Sequence, residues 1–320
     1  MRIVYLSFPT GQITGGQKMV ARHVEALNAL GASAVWWRNT RVDLPWLEHH
    51  APVVVGAPFR DDDILVLPGD APNAIRTAAS LPNRCVVFVQ GHITLASTGA
   101  LAAAATLRDP TFIAVGPTVA ATVRRAFPNA IIETIPCFAD ERVFRPREKH
   151  MGIVHAPWKR PLEAAAIREF LNAYHPRHAR LPWGRIVDAS EAQMAKALGD
   201  ISIFLSLSRL EGLGLTPLEA MASGCLVAGF TGLGGRDFAT SQNGFWVDED
   251  DCIGAADALA AAADTLLSGG PALAARLDAG RSTAEAWSYA RFYASMEEVW
   301  WRLAPAAMGQ RSPHLATGRS

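Results

Sequence analysis

The sequence predicts an α/β protein made of two doubly wound, parallel-sheet domains in series. Short apolar and β-branched runs alternate with Ala-rich stretches of helical spacing along most of the chain, and this alternation is typical of successive βαβ units. A charged segment at 138–149 interrupts the pattern, which then starts again. The length of 320 residues accommodates two domains of ordinary size.

The first half of the chain is predicted to form an N-terminal domain over 1–145. Its expected strands are short apolar runs bounded by polar, Gly or Pro residues, at 3–8, 34–37, 53–55, 64–67, 85–89, 112–115 and 131–135. A helix is expected over 17–30, because its apolar residues recur at helical spacing and Gly31 follows.

The second half repeats the alternation and is predicted to form a C-terminal domain over 146–304. Its strands are expected at 152–155, 186–187, 201–205, 226–228 and 245–247. Its helices are expected at 162–174, 192–198, 217–222, 253–267 and 288–303. Residues 305–320 are polar and contain Gly and Ser, which predicts a disordered tail.

Composition argues against several classes of protein. Thirty basic residues balance thirty acidic ones, so no net charge favours nucleic acid as a partner. The four cysteines form no CxxC pair, and we expect buried free thiols in the reducing cytoplasm. No signal peptide or membrane-spanning stretch is evident. Trp36, Trp37 and Trp46 lie near Arg38 and Arg41; core packing is the favoured interpretation, and peripheral contact with the inner membrane face stays open.

Two loops are candidates for ligand binding, because open parallel sheets bind ligands where strands lead into helices. The first, 9–16, reads PTGQITGG. Its glycines allow close backbone approach, and the following helix N-terminus favours an anion. The loop is not a P-loop, because Gln17 replaces the required Lys, and it is not GxGxxG. A tight turn without a ligand is the alternative.

The second loop places two carboxylates around exposed backbone. Glu211 follows the strand at 201–205, Gly212 and Gly214 come next, and Glu219 lies on the following helix. Carboxylates accept hydrogen bonds from vicinal hydroxyls, and N–H groups at a helix start suit phosphates. This combination indicates a ligand with sugar rings and phosphate groups. Alternatively, Glu219 only complements the helix N-terminus and Glu211 is solvated.

The segment that begins at Glu211 reads EGLGLTPLEAMASGCLV and resembles the E-x7-E signature of the retaining family 4 glycosyltransferases (glycosyl transferases group 1), which have the GT-B fold. Weaker similarities are the pair Gly15-Gly16, IPCFADERVFRP at 135–146 and NGFWV at 243–247. The resemblance implies two Rossmann-like domains facing a central cleft. The first would bind the acceptor, the second the nucleotide-sugar donor, and the last helix would return to the first domain.

The resemblance also implies roles for individual residues. Glu211 would contact hydroxyls of the donor sugar, and Glu219 would hold the ribose. The remaining donor-binding residues would be Gly15, Gly16, Gly212, Leu213, Gly214 and Leu215.

Basic and imidazole side chains would complete the catalytic set. The stretch HAPWKR at 155–160 makes Lys159 and Arg160 candidates for neutralising the diphosphate, although the family's usual GR…K spacing is absent and a solvated pair is the alternative. Either His92 or Gln90 would face the sugar from the first domain.

No metal or other cofactor is expected, since the nucleotide sugar is itself a substrate. Asp61-Asp62-Asp63 matches the DxD pattern that other glycosyltransferases use for a divalent ion, but it precedes a predicted strand instead of following one. The acidic stretch 248–251 is interpreted as a solvated loop that ends in a helix cap.

The resulting hypothesis is a cytoplasmic retaining hexosyltransferase. It would move sugar from a nucleotide-sugar donor to a saccharide or lipid-linked saccharide acceptor, in cell-surface polysaccharide synthesis. Two alternatives stay open: a sugar-nucleotide epimerase of the GT-B fold, and a non-catalytic sugar-nucleotide-binding protein. A dinucleotide oxidoreductase is disfavoured because neither half has the glycine fingerprint.

Overall fold

The computed structural model describes residues 1–9 and 11–308, which form two compact units. Unit 1 comprises Met1–Pro136 and the chain from Phe292 onward, and unit 2 comprises Cys137–Arg291. The division lies before the expected boundary at 145, because the segment after Pro136 already packs in unit 2. There Phe138 is buried, and the Ala139 N–H donates to the Trp287 carbonyl at 2.9 Å.

Unit 1 is built on a seven-stranded sheet in which every pair of neighbouring strands is parallel. The strands are β1 (Ile3–Ser7), β2 (Ala34–Arg38), β3 (Val53–Val55), β4 (Ile64–Pro68), β5 (Arg84–Val89), β6 (Thr111–Ala114) and β7 (Ile131–Thr134). Their spatial order is β3-β2-β1-β4-β5-β6-β7. The direction of winding therefore reverses between β1 and β4, which makes that position the topological switch point.

Helices connect the strands of unit 1. They are α1 (Gly15–Ala29), α2 (Pro72–Ala78), α3 (His92–Ser97), α4 (Ala100–Ala104) and α5 (Pro117–Ala126). The Thr14 hydroxyl caps α1 by accepting from the Gln17 N–H at 3.3 Å. Beyond the other end of α1, Gly31 has a φ of +83°, a conformation in which glycine carries no side-chain penalty.

Unit 2 contains a five-stranded parallel sheet in the order β12-β11-β10-β8-β9. The strands are β8 (His150–His155), β9 (Trp183–Arg185), β10 (Ile201–Leu207), β11 (Leu226–Phe230) and β12 (Phe245–Val247). The helices are α6 (Pro161–Tyr174), α7 (Glu191–Asp200), α8 (Leu215–Ala222), α9 (Gly232–Gly235), α10 (Cys252–Ser268), α11 (Gly270–Ala286) and α12 (Tyr289–Leu303). The switch point of this sheet lies between β8 and β10.

Two expectations for unit 2 are wrong. The short strand predicted at 186–187 lies instead at Trp183–Arg185, where Gly184 allows close contact with Val154. Helix α11 was not predicted. It is 17 residues long, and only Gly280 and Ala284 are buried, although Leu273 and Leu277 pack against the core of unit 2 at the same helical spacing.

The end of the chain differs in part from the predicted tail. Pro305–Ala307 forms a short 3₁₀ helix, and Ala307 and Met308 are buried. Disorder is therefore the wrong expectation for 305–308, while residues 309–320 lie outside the described part of the chain. Among residues 1–9 and 11–308, no single helix is long and apolar enough to span a bilayer; only α10 and α11 together, bent by 120°, meet those criteria.

Helix α12 begins in unit 2, and from Phe292 onward it belongs to unit 1 and completes the core of that unit. Phe292 and Trp300 are fully buried. Their rings lie near those of His23 and Tyr5, at centroid distances of 5.1 and 6.3 Å. The expected return of the last helix to the first domain is therefore visible in the packing of unit 1.

Replacing Trp300 with alanine is expected to destabilise the protein by about 3–5 kcal/mol, because it leaves a large cavity in the core. The half-buried neighbour Trp301 is the matched control, and Trp301→Ala is expected to cost less. Urea unfolding followed by circular dichroism measures both. Equal losses for the two variants would contradict the packing described for α12.

Candidate functional site

The loops that follow β8 and β10 flank the switch point of the unit 2 sheet. The loop after β8 contains a 3₁₀ turn at Pro157–Lys159, and the loop after β10 runs through Glu211 to the start of α8. Carboxyl ends of parallel strands at a switch point form the usual ligand crevice of doubly wound sheets. The position of this candidate site therefore follows from strand order.

An ion pair joins these two loops. The Lys159 ammonium contacts one carboxylate oxygen of Glu211, and the other oxygen accepts from the Arg209 N–H at 2.5 Å. The Lys159 side chain is 25 % exposed and that of Glu211 is 17 % exposed. Burial lowers the pKa of Lys159 to about 8, while the adjacent carboxylate favours the charged form.

The backbone after Glu211 is shaped by glycine contacts. Gly214 has a φ of +86° and stands directly before α8. A Cβ atom at Gly234 would lie 2.3 Å from the Leu213 Cα, so the α9 turn packs backbone to backbone on this loop. The Leu233 N–H also donates to the Arg209 carbonyl at 2.8 Å. These contacts hold the predicted donor-binding segment Gly212, Leu213, Gly214 and Leu215.

Glu219 lies on α8 and is 4 % exposed. The helix begins at Leu215, earlier than the predicted start at 217, so Glu219 falls in its second turn. A carboxylate that is almost fully buried costs free energy unless it has hydrogen-bond or charge partners. Glu219 does not lie in the first turn of α8, where the alternative interpretation had it complement the helix N-terminus.

Arg160 does not have the environment that was expected for a diphosphate ligand. Its side chain is 1 % exposed, and its guanidinium contacts Glu249 and Asp250. Its Nε also donates to the Ser208 carbonyl at 3.1 Å. The cation is thus paired with protein carboxylates and links the loops around Lys159. Its contact with a diphosphate stays a prediction.

Residues 248–251 are exposed, as expected for a solvated loop, but Glu249 also has protein partners. Glu249 binds Arg160 and also accepts from the Gly232 N–H at 3.0 Å. The cap predicted at its end is confirmed: Asp251 accepts from the Gly254 N–H at 2.8 Å and begins α10.

A cavity of about 550 Å³ lies between the loops after β11 and β12. Its lining includes Thr231, Arg236, Trp246, Asp248 and Glu249. Sequence reasoning missed this cavity and the α9 turn beside it. The available signal was the GLGG run at 232–235, since three glycines directly after a strand indicate close backbone approach.

In unit 1, the glycine pair Gly15-Gly16 is contacted by the side chain of Gln90, which lies in the loop after β5. The Gln90 side chain donates to the Gly16 carbonyl at 3.3 Å, and a Cβ atom at Gly16 would lie 3.2 Å from its Oε1. His92 is half-buried and is the first residue of α3. The structure therefore brings Gln90 to Gly16; whether Gln90 or His92 faces a sugar stays a prediction.

The DxD-like sequence is engaged in a different way. Asp63 is buried and accepts two hydrogen bonds from Arg2, at 2.9 and 2.6 Å, while Asp62 pairs with the N-terminal ammonium. Within the described ranges 1–9 and 11–308, no group of three or more His, Cys, Asp or Glu side chains is placed to hold a metal ion.

The tryptophans near Arg38 pack as the favoured interpretation predicts. Trp36 and Trp46 are buried, and Trp37 is half-buried between Phe8 and Phe59, with ring centroids 6.2 and 5.5 Å away.

Comparisons with known proteins agree with this architecture. Residues 163–268 match the family model described as glycosyl transferases group 1. An alpha-1,6-glucosyltransferase from Actinobacillus pleuropneumoniae serotype 7 (strain AP76) is 29 % identical over 133 residues. This match covers 39 % of the chain and 40 % of the relative, so less than half of either protein is involved.

Solved structures share the fold over nearly the whole chain. Sucrose-phosphate synthase from Thermosynechococcus elongatus has a TM-score of 0.69 at 15 % identity, covering 96 % of this chain and 100 % of that one. HepE from Anabaena, in complex with UDP-glucose, has a TM-score of 0.69 at 13 % identity, covering 94 % and 100 %. With the two parallel-sheet units, these likenesses show that the protein has a GT-B fold.

Replacing Gly234 with alanine is expected to destabilise the protein by about 1–3 kcal/mol, because the added methyl group meets the backbone of Leu213. Gly235→Ala is the matched control, since its Cβ atom would lie 3.5 Å from its nearest neighbour, Thr231. Thermal unfolding compares the two. If both variants melt with wild-type midpoints, the α9 turn does not support the loop as described.

Proposed function

We propose that the protein is a retaining glycosyltransferase of the GT4 type that uses a nucleotide-sugar donor. The acceptor is a saccharide or a lipid-linked saccharide, and the product serves cell-surface polysaccharide synthesis. The observation that carries the proposal is the pairing of Lys159 with Glu211 at the switch point of unit 2. The pair presents a cation for a diphosphate and a carboxylate for sugar hydroxyls side by side.

Known relatives support the donor class. The matched family comprises glycosyl transferases, and the bacterial relative is a glucosyltransferase. HepE was solved with UDP-glucose, and the Staphylococcus aureus protein TarM, which has a TM-score of 0.59 at 17 % identity, was solved as a variant with UDP and saccharide ligands. The TarM match covers 76 % of this chain and 56 % of that one. A uridine nucleotide is therefore the first donor to test.

In the proposed mechanism, donor binding exchanges the partners of the ion pair. The diphosphate draws the Lys159 ammonium away from Glu211, and the freed carboxylate then accepts hydrogen bonds from the sugar. As the bond between the anomeric carbon and the phosphate oxygen breaks, negative charge grows on the leaving diphosphate. A preorganised cation and the N–H groups before α8 stabilise that charge.

The acceptor oxygen attacks the same face of the sugar from which the diphosphate departs. A bond forms between that oxygen and the anomeric carbon, and the acceptor proton passes to the leaving phosphate oxygen. The products are the glycosylated acceptor and the nucleoside diphosphate. No covalent enzyme intermediate is required, and the proposal uses no metal cofactor because Lys159 supplies the neutralising charge.

The nucleotide is expected to stabilise the folded protein. A ligand present at 100 times its dissociation constant adds about 2.7 kcal/mol. At roughly 2–4 °C per kcal/mol for domains of this size, this corresponds to a rise of roughly 5–11 °C in the unfolding midpoint. We expect UDP or UDP-glucose to produce this shift in a panel of nucleoside diphosphates and nucleotide sugars. If a nucleotide with another base produces the shift, only the identity of the base in the proposal changes. If no nucleotide at millimolar concentration shifts the midpoint, the transferase proposal is overturned.

Glu219→Gln tests the ribose contact. Loss of a charged hydrogen-bond acceptor is worth about 1.5–3 kcal/mol, so the dissociation constant for UDP, measured by calorimetry, is expected to rise at least roughly tenfold. Glu297 is the control, because it is also buried, at 6 % exposure, but lies in unit 1. Unchanged affinity in Glu219→Gln, or an equal loss in Glu297→Gln, would argue against the assignment.

The affinity for UDP is expected to fall as the pH rises through about 8, the pKa of Lys159. Only the ammonium form of Lys159 binds phosphate, and bound phosphate raises the pKa of that ammonium. The affinity for UDP is therefore constant below the pKa of free Lys159 and falls at most tenfold per pH unit above it. The terminal phosphate is fully ionised in this range, because its second pKa is about 6.

Lys159→Arg keeps its charge across the whole range. Its UDP affinity is therefore expected to stay constant from about pH 7 to about pH 9.5, because the pKa of an arginine lies well above this range. Calorimetry on both proteins gives the comparison. The same fall with pH in the Arg variant would show that another group titrates.

A further inference from the structure

Arg38 is a buried cation with an incomplete set of hydrogen bonds. It is the last residue of β2 and is 5 % exposed. Its Nη1 donates to the Val42 carbonyl at 2.9 Å. Its Nε and Nη2 are buried and have no hydrogen-bond partner in the described part of the chain. A buried donor without a partner costs about 1–3 kcal/mol, and more for a charged group.

The two unpaired atoms form the edge of the guanidinium that this protein uses to hold carboxylates. Three other arginines each donate from Nε and Nη2 to the two oxygens of one carboxylate. The pairs are Arg2 with Asp63, Arg142 with Asp140, and Arg302 with Glu133. Such parallel N–H bonds match the geometry of carboxylate and phosphate groups. The edge of Arg38 formed by Nε and Nη2 thus has the geometry to bind an oxyanion, and we call this edge the fork.

The side chains around the fork do not neutralise the positive charge of Arg38. The guanidinium lies 3.7 Å from the centroid of the Trp36 ring, which favours a cation. The His49 ring packs near the same tryptophan at 5.2 Å, and its Nδ1 is also buried without a hydrogen-bond partner in 1–9 and 11–308. Burial lowers the pKa of Arg38 and the nearby Asp43 carboxylate raises it, but Asp43 is exposed and does not bond to the fork.

The fork lies where doubly wound sheets bind ligands. Arg38 is paired in register with Ser7, the last residue of β1, and the glycine-rich loop of unit 1 follows directly. A Cβ atom at Gly11 of this loop would lie 3.9 Å from the Val42 side chain. The segment 39–43 thus contacts both the glycine-rich loop and Arg38. Because Arg38 is buried, binding of a ligand to the fork would require this segment to move.

We propose that Arg38, supported by His49, forms a subsite in unit 1 for an oxyanion of the acceptor, a phosphate ester or a carboxylate. The identification of the ligand as an acceptor rests on the proposed function, whereas the oxyanion site itself does not. The buried Arg38 and the half-buried His49 both have buried nitrogens without a partner in the described part of the chain, and both lie against the Trp36 ring. This arrangement, at the carboxyl end of the strand next to β1, carries the proposal. It predicts an anionic acceptor and not a neutral saccharide.

The test is a titration of the full chain, followed through the ¹H–¹⁵N resonances of arginine Nε groups. The Arg38 resonance is assigned by its loss in Arg38→Lys. The probes are inorganic phosphate, glucose 6-phosphate and glucuronate, with glucose as the neutral control, each in the absence and presence of saturating UDP. We expect saturable displacement of the Arg38 resonance by the anions and none by glucose.

Variants give a second readout that does not depend on the assignment. Arg38→Gln is expected to weaken glucose 6-phosphate at least roughly tenfold, as loss of a charged bidentate contact implies. Arg41→Gln, which removes an exposed arginine in the same segment, is expected to change it less than twofold. Circular dichroism verifies that Arg38→Gln folds, and Arg38→Lys, which keeps the charge but lacks the fork, is expected to bind with intermediate affinity.

The outcomes separate this inference from the proposed function. Response to phosphates alone defines the oxyanion as a phosphate ester, and response to glucuronate as well extends it to carboxylates. Absence of any saturable shift at tens of millimolar anion, or equal affinity in Arg38→Gln and wild type, overturns the subsite. Failure of UDP to bind overturns the proposed function, yet leaves the anion titration without UDP as a valid test of Arg38.

Discussion

The buried guanidinium of Arg160 fixes the loops from which the candidate site of unit 2 is made. It binds the Ser208 carbonyl after β10 and the carboxylates of Glu249 and Asp250 after β12. Glu249 in turn holds the Gly232 N–H after β11. A buried cation needs such partners, because its desolvation costs several kcal/mol without them. Since Arg160 directly follows Lys159, the same network also fixes the loop after β8 in which the Lys159 ammonium lies.

The fold is largely predictable from periodicity, because most strands are continuous apolar runs that both faces of a parallel sheet bury. Strands β1 and β10 are of this kind. Strand β9 was misplaced because it consists of Trp183, Gly184 and Arg185, and no β-branched residue marks it. Helix α11 was missed because its helical spacing is marked by only two large apolar residues, Leu273 and Leu277, beside the small residues Gly280 and Ala284.

The site is predictable where a motif lies within one loop, and not where distant segments meet. Glu211 and Lys159 were both candidates, and the structure brings them together. The ion pairs of Arg160 were not predicted, because its carboxylate partners lie 89 and 90 residues further along the chain. Gln90 meets Gly16 across 74 residues. Arg38 gave no signal as a ligand, because only its packing shows that two of its nitrogens lack a partner.

The central claim is that Lys159 and Glu211, which pair with each other in this structure, exchange that contact for the donor's diphosphate and sugar, respectively. A crystal structure of the protein with UDP-glucose tests it most directly. The account predicts that the Lys159 Nζ leaves Glu211 for the diphosphate and that the Glu211 carboxylate accepts from sugar hydroxyls. A structure in which UDP-glucose is bound while the pair between Lys159 and Glu211 stays intact, with neither residue touching the ligand, would contradict it.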